Sequence, residues 1–188
     1  SARQDEDFDV DENIEYVLQN TESRCDSAPD ADEAIGALRD GQPISKSHQL
    51  DRWLLDWETK HGAQLNPDEA RQEWFDNEHM VLMFLPTNRG WDALAYLNFY
   101  GSSDFGSEYY IALGRRWQAR YGAELYAHLG TMLECFVSKP PADIDAAWAV
   151  AREHDLAAPC TLALPGIDLR HHAAGLVGFD RWFLHERP

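Results

Sequence analysis

Gly122-Ala123-Glu124-Leu125-Tyr126-Ala127-His128-Leu129-Gly130-Thr131-Met132-Leu133-Glu134-Cys135-Phe136-Val137-Ser138 is the stretch that decides the fold class. Its two apolar-rich runs, Glu124 to His128 and Met132 to Ser138, flank Gly130 and predict a β-hairpin. Just upstream, Ile111, Leu113, Trp117 and Tyr121 recur at helical spacing, so a helix is expected from Glu108 to Tyr121 with Gly122 as its stop. Downstream, Pro140-Pro141 breaks the chain. An amphipathic helix is expected from Asp143 to His154, burying Ile144, Ala147, Trp148 and Ala151. A helix from Asp168 to Val177 and a short strand from Arg181 to His185 close the chain.

Upstream, Leu50, Trp53, Leu54, Trp57 and His61 mark a helix that begins at Ser45 or Ser47 and stops at Gly62. Asp30 or Asp32 can cap a shorter helix ending near Gly41. Asn66-Pro67-Asp68-Glu69 reads as a helix start running to about Phe75. Met80 to Leu85 is a continuous apolar run closed by Pro86, too short for a helix, and is expected to be a buried strand. Ala93 to Tyr100 is expected to be another, after the turn at Thr87 to Gly90. Helices and strands do not alternate regularly. The expected class is therefore α+β: a small mixed or antiparallel sheet packed with several amphipathic helices. Trp57-x-x-Lys60-His61-Gly62-Ala63-Gln64-Leu65 echoes Trp117-x-x-Arg120-Tyr121-Gly122-Ala123-Glu124-Leu125. Both are read as an aromatic one turn before a left-handed glycine; an internal duplication is the alternative.

The 188 residues suffice for a core without disulfide or metal, and no apolar run reaches the length of a membrane span. Acids outnumber bases 33 to 16, a net charge of -17. This excludes nucleic-acid binding through a basic surface and attraction to anionic membranes. Residues 1–33 hold twelve acids against Arg3 and Arg24, ten of the seventeen net charges. Residues 1–28 are accordingly expected to be an acidic, mobile segment, and 29–188 a single α+β domain. The tail is read as a solvated face or as a lure for a basic partner. Asp5-x-Asp7-x-Asp9 is not a calcium loop, because Val10 and Tyr16 occupy the positions that need Gly and Glu. No signal peptide is read in the acidic N-terminus. Cys25, Cys135 and Cys160 form no paired spacing, which points to a reducing cytoplasm.

No catalytic signature stands out. Cys160 with His154, His171, His172 or His185 as base would need a thiolate-stabilising environment that the spacing does not enforce, so a buried structural thiol is expected. His171 and His172 point about 100° apart on a helix and are read as surface or packing histidines; neither a metal nor a cofactor is expected. The loop Gly101 to Ser107 lacks a phosphate-binding pattern and brings Asp104 and Glu108. It sets Phe105, Tyr109 and Tyr110 beside carboxylates, which suits a basic protein partner unless the rings fold onto the core. Asp104, Phe105, Glu108 and Tyr109 are the candidate partner-binding residues.

Four motifs carry a resemblance over residues 109–188. They are Arg116-Trp117-x-x-Arg120-Tyr121-Gly122-Ala123-Glu124, Lys139-Pro140-Pro141, Ala146-x-x-x-Val150-Ala151-x-Glu153-His154, and Asp180-Arg181-Trp182-Phe183-Leu184-His185-Glu186-Arg187-Pro188. In these the chain resembles the C-terminal part of the bacterial domain-of-unknown-function family 4253. Many relatives carry Cys-Pro-Asp after the Glu-His pair; here Pro159-Cys160-Thr161 stands instead. The resemblance carries over no catalytic residue and implies a small bacterial protein, toxin immunity being among the roles suggested for such families. The expected function is an immunity protein, a cytoplasmic inhibitor that neutralises a cognate basic toxin such as a nuclease. The alternative is a small enzyme with a cleft near Glu153, His154, Cys160 and His185.

Overall fold

The computed structural model describes residues 47–62, 67–71, 80–97, 99 and 106–187. The chain separates into two compact units, residues 1–66 and 67–188. The acidic N-terminal segment, the short helix near Gly41, Cys25, Asp104 and Phe105 lie outside the described residues.

In the first unit, α1 spans Ser47–Lys60 and buries Leu50, Leu54, Leu55 and Trp57. These positions share one helical face. Trp57 stacks on His61 with ring centres 3.9 Å apart, and Gly62 ends the helix at φ 76°.

The second unit is built on the predicted hairpin. Helix α2 (Gly106–Tyr121) ends at Gly122, whose φ of 62° turns the chain directly into β1 (Ala123–Leu129). Gly62 and Gly122 thus end their helices in the same left-handed way. Strand β2 (Met132–Val137) returns antiparallel around Gly130. The register slips at Tyr126, an extra residue between Leu125 and Ala127. Helix α3 (Ile144–Ala157) starts where Asp143 accepts the Ala146 N–H at 2.8 Å. Asp143 thereby caps the first turn with its carboxylate. A single turn, α4 (Cys160–Ala163), and helix α5 (Leu169–Leu176) follow. Strand β3 (Arg181–His185) then pairs antiparallel with β2, giving the order β1-β2-β3. The fold is α+β, with an antiparallel sheet.

One sheet face carries Leu125, Leu133, Cys135, Val137, Trp182 and Leu184, all buried; past the bulge Ala127 pairs with Glu134 and His128 with Leu133. The core of the unit sits there. Trp117 lies at its centre, edge-on to Trp91 and Trp182 with ring centres 5.8 and 6.0 Å away. Arg71 caps the end of α5, donating to the carbonyls of Gly175 and Val177 at 3.0 and 3.2 Å.

Two expected strands are not formed by the described residues. Among the described residues Met80 to Leu85 joins no ladder, and Met80 to Phe84 are exposed rather than buried. Gly90–Ala95 is a 3-10 helix where a strand from Ala93 was expected. Trp91 decides the latter: its ring packs where a Cβ on Gly114 would stand, and its Nε1 donates to the Ala123 carbonyl at 2.9 Å. The helix expected from Asn66 is a 3-10 turn at Pro67–Ala70; residues 72–79 lie outside the description.

Candidate functional site

The first turn of α2 presents two of the candidate partner-binding residues. Glu108 is exposed and Tyr109 half-buried. Tyr110 goes inward, where its hydroxyl donates to the Ala157 carbonyl and ties α2 to the end of α3. Helical spacing explains the division, since neighbours are about 100° apart. Asp104 and Phe105 lie outside the described residues.

Glu108 borders one of two adjoining depressions between the 3-10 helix and α2. One encloses about 440 Å³ and is lined by Leu94, Leu97, Ser107 and Glu108. The other encloses about 540 Å³ and is lined by Pro86, Thr87, Asn88, Asp92 and Arg115. They share Ala95, Tyr96 and Ile111, so they form one groove. Asp92 is neutralised by Arg115 at 2.7 Å. Tyr96 is 54% exposed, and its ring offers the amphipathic surface typical of interface anchors.

The other surface was not foreseen. On the sheet face opposite the core, Tyr126, Glu134, Phe136, Arg181 and Phe183 alternate with the buried positions. Phe136 faces Arg181 across the strands, and Glu134 faces Phe183. Strand periodicity was the signal available for it.

Within the enzyme-like set, Glu153 and His154 take separate partners, while Cys160 and His185 lie on neighbouring elements, α4 and β3. Glu153 accepts the Trp117 Nε1–H at 2.6 Å and pairs with Arg116 at 2.7 Å, Arg120 standing 3.7 Å away. His154, next in sequence, is wholly buried. Its Nδ1 lies 3.0 Å from Nε2 of His172, one nitrogen donating and the other accepting. The rings of Trp117 and Trp182 stand 5.0 and 5.1 Å from its own. Burial pushes both imidazole pKa values down, His154 well below the usual value and His172 to about 4.

Cys160 is half-buried rather than a buried thiol, and its N–H donates to the Glu186 carboxylate at 3.1 Å. Glu186 follows β3 directly, and the single turn α4 packs beside that strand. Next to it, Thr161 Oγ1 accepts the His185 N–H at 2.8 Å. His171 and His172 are buried packing residues. They diverge as adjacent helical residues must: His171 reaches Asp168 at 3.5 Å, His172 reaches His154. Thr161 and His172 line a cavity of about 30 Å³ with Arg71, Phe179, Arg181 and Phe183. That is room for one water. Among the described residues, no group of three His, Cys, Asp or Glu side chains is placed to hold a metal ion. No described helix is long and apolar enough to cross a membrane.

The model of the family described as a domain of unknown function, DUF4253, matches residues 81–185. The chain belongs to this family. The match starts at Val81, so the exposed apolar run and the 3-10 helix are part of the DUF4253 domain, together with α2 to β3. No curated protein and no solved structure matches this DUF4253 chain.

Proposed function

We propose that this protein acts by binding another protein, not by catalysis, and that it is a bacterial immunity protein. In this reading it sits in the cytoplasm and neutralises a cognate toxin, a nuclease effector, through an acidic surface. The contrast between the two concavities carries the reading. The groove beside Glu108 and Tyr96 is open and large, whereas the cavity at His172 has room for one water. A substrate would have no place beside the histidines, while a protein side chain fits the groove. The net charge of -17 supports a basic partner, because nucleases carry basic surfaces for phosphate. Glu108 supplies a carboxylate where a lysine or arginine of that partner would enter.

The test is co-production with the product of the neighbouring reading frame, followed by association kinetics. Raising salt from about 0.05 to 0.5 M should slow association far more than it speeds dissociation. Glu108→Lys should slow association at low salt while leaving the fold intact. A salt-independent association rate would remove the electrostatic basis, and an unaffected Glu108→Lys variant would move the interface off the groove.

A further inference from the structure

The cavity of about 30 Å³ beside His172 has a wall of one electrostatic kind. Arg71, Arg181, Thr161 and His172 supply its polar side chains. Among the described residues no carboxylate lines it, in a chain with a net charge of -17. The Arg71 guanidinium lies over the Phe179 ring at 4.4 Å and gives its Nε–H and one Nη2–H to the carbonyls that end α5. Its Nη1 stands 3.6 Å from the exposed Asp68, which is not part of the wall. An arginine has five N–H donors, so some remain for the cavity. Thr161 is 7% exposed; its Oγ1 accepts the His185 N–H, and its own proton has only a long 3.4 Å contact with the His185 carbonyl. His172 is 6% exposed. Its Nε2 faces His154, while its Nδ1 makes no hydrogen bond among the described residues and is not sealed in the core. That nitrogen opens on the cavity that His172 lines.

Burial fixes where the protons lie. Nε2 of His154 is wholly buried and has no partner among the described residues. A buried N–H without an acceptor is rarer than a bare lone pair, so the His154 proton sits on Nδ1 and is donated to Nε2 of His172. His172 is neutral at about pH 7 and must then carry its own proton on Nδ1, turned to the cavity. Every polar side chain of the wall thus offers a donor. From this we infer that the cavity is a binding site for a small monovalent anion, a halide of the size of chloride, held by Arg71, Arg181, Thr161 and His172. This goes beyond the immunity reading and does not depend on it. The volume sets the class of ligand: room for one water-sized particle admits a halide and excludes sulfate, phosphate or a nucleotide. A water would meet this wall of donors with two lone pairs, whereas a halide accepts from all of them and offsets the guanidinium charge. Guanidinium groups are also weakly hydrated, which suits an anion that must shed its own water to enter. A bound anion would join the chain just after the 3-10 turn, α4, α5 and β3 at a single point.

The experiment is thermal unfolding of the full chain at about pH 7.5, where His172 is neutral, with gluconate exchanged for chloride, bromide or sulfate at constant ionic strength. With a Kd of about 10 mM, about 200 mM chloride should raise the melting temperature by roughly 4–7 °C. Bromide should act as chloride does, and sulfate should not. Arg181→Gln removes a cation from the wall at an exposed position and should weaken the apparent chloride affinity about tenfold or more. Lys139→Gln removes the same charge at an exposed position outside the wall and should keep the full response. Circular dichroism confirms that both variants stay folded. Crystals grown in bromide should show its anomalous signal between Arg71, Arg181 and His172. A melting temperature that is the same in chloride and gluconate overturns the inference and leaves the cavity to water. So does an equal response to sulfate, which would be a surface effect, or an equal response in the two variants. A bromide signal in the cavity without any shift in melting temperature would be an adventitious ion only, and overturns it as well.

Discussion

Lowering the pH should destabilise this protein through its buried imidazole pair. The His172 pKa falls from 6.5 to about 4 on folding, and His154 shifts in the same direction. A depressed histidine pKa means that the unfolded chain takes up the proton first. The neutral imidazole's contribution is therefore intact above pH 6.5, declines as pH falls through 6.5, and is exhausted near pH 4. For His172 the loss between pH 7.5 and 5 comes to about 2 kcal/mol, and to about 3 kcal/mol when fully protonated. His154 adds to it, because a doubly protonated pair would set N–H against N–H across 3.0 Å. His128 and His185 are also lowered, chiefly by burial, and act with the same sign. The assay is urea unfolding at pH 7.5, 6 and 5, a range that stays above most carboxylate titration. His172→Gln removes the titrating group, so its stability should fall by about 2 kcal/mol less than the wild type's over that range. Equal losses in the two proteins would refute the assignment, as would a wild type equally stable at pH 7.5 and 5.

Three substitutions test the packing and the surface. Gly114→Ala places a Cβ 1.9 Å from the Trp91 ring, which is fully buried, so about 3 kcal/mol or more should be lost and the melting temperature should fall by roughly 6–12 °C. Asp143→Ala removes the α3 cap and should cost about 1 kcal/mol by denaturant titration. Glu108→Lys reverses a charge in the exposed first turn of α2 and should cost about 0.5–1.5 kcal/mol, too little to unfold the protein, so a slower association is read as a binding effect.

The elements that were legible in the sequence are those with local signals. The hairpin announces itself by Gly130, α3 by Asp143, and the end of α2 by Gly122; β3 runs over Arg181–His185 as expected. Met80 to Leu85 failed because a continuous apolar run says nothing about which side is covered. Ala93 to Tyr100 failed because the conformation there is set by Trp91 meeting Gly114, a contact no local pattern reports. The same limit applies to the site. Glu108 was singled out through its composition and loop setting, and its exposure is all that the fold adds. The His154–His172 bond was not, because its partners are brought together only by the packing of α3 on α5. The adjacent pair His171-His172 and the near neighbours Glu153-His154 suggested clusters, yet adjacency on a helix separates side chains instead of gathering them.

Charge and ring at the proposed groove should answer to salt in opposite ways. A chain at -17 would attract a basic partner from a distance. Salt screens that attraction, with a Debye length of about 10 Å at 0.1 M and about 3 Å at 1 M. Association through Glu108 must therefore slow as salt rises. A contact made by the half-exposed Tyr96 ring is apolar in its larger part and does not weaken in the same way. Tyr96→Ala should therefore speed dissociation at every salt concentration, while Glu108→Lys should slow association only where salt is low. If Tyr96→Ala changed nothing, or if both variants lost their effect together at high salt, the ring would not be an anchor and the groove would hold its partner by charge alone.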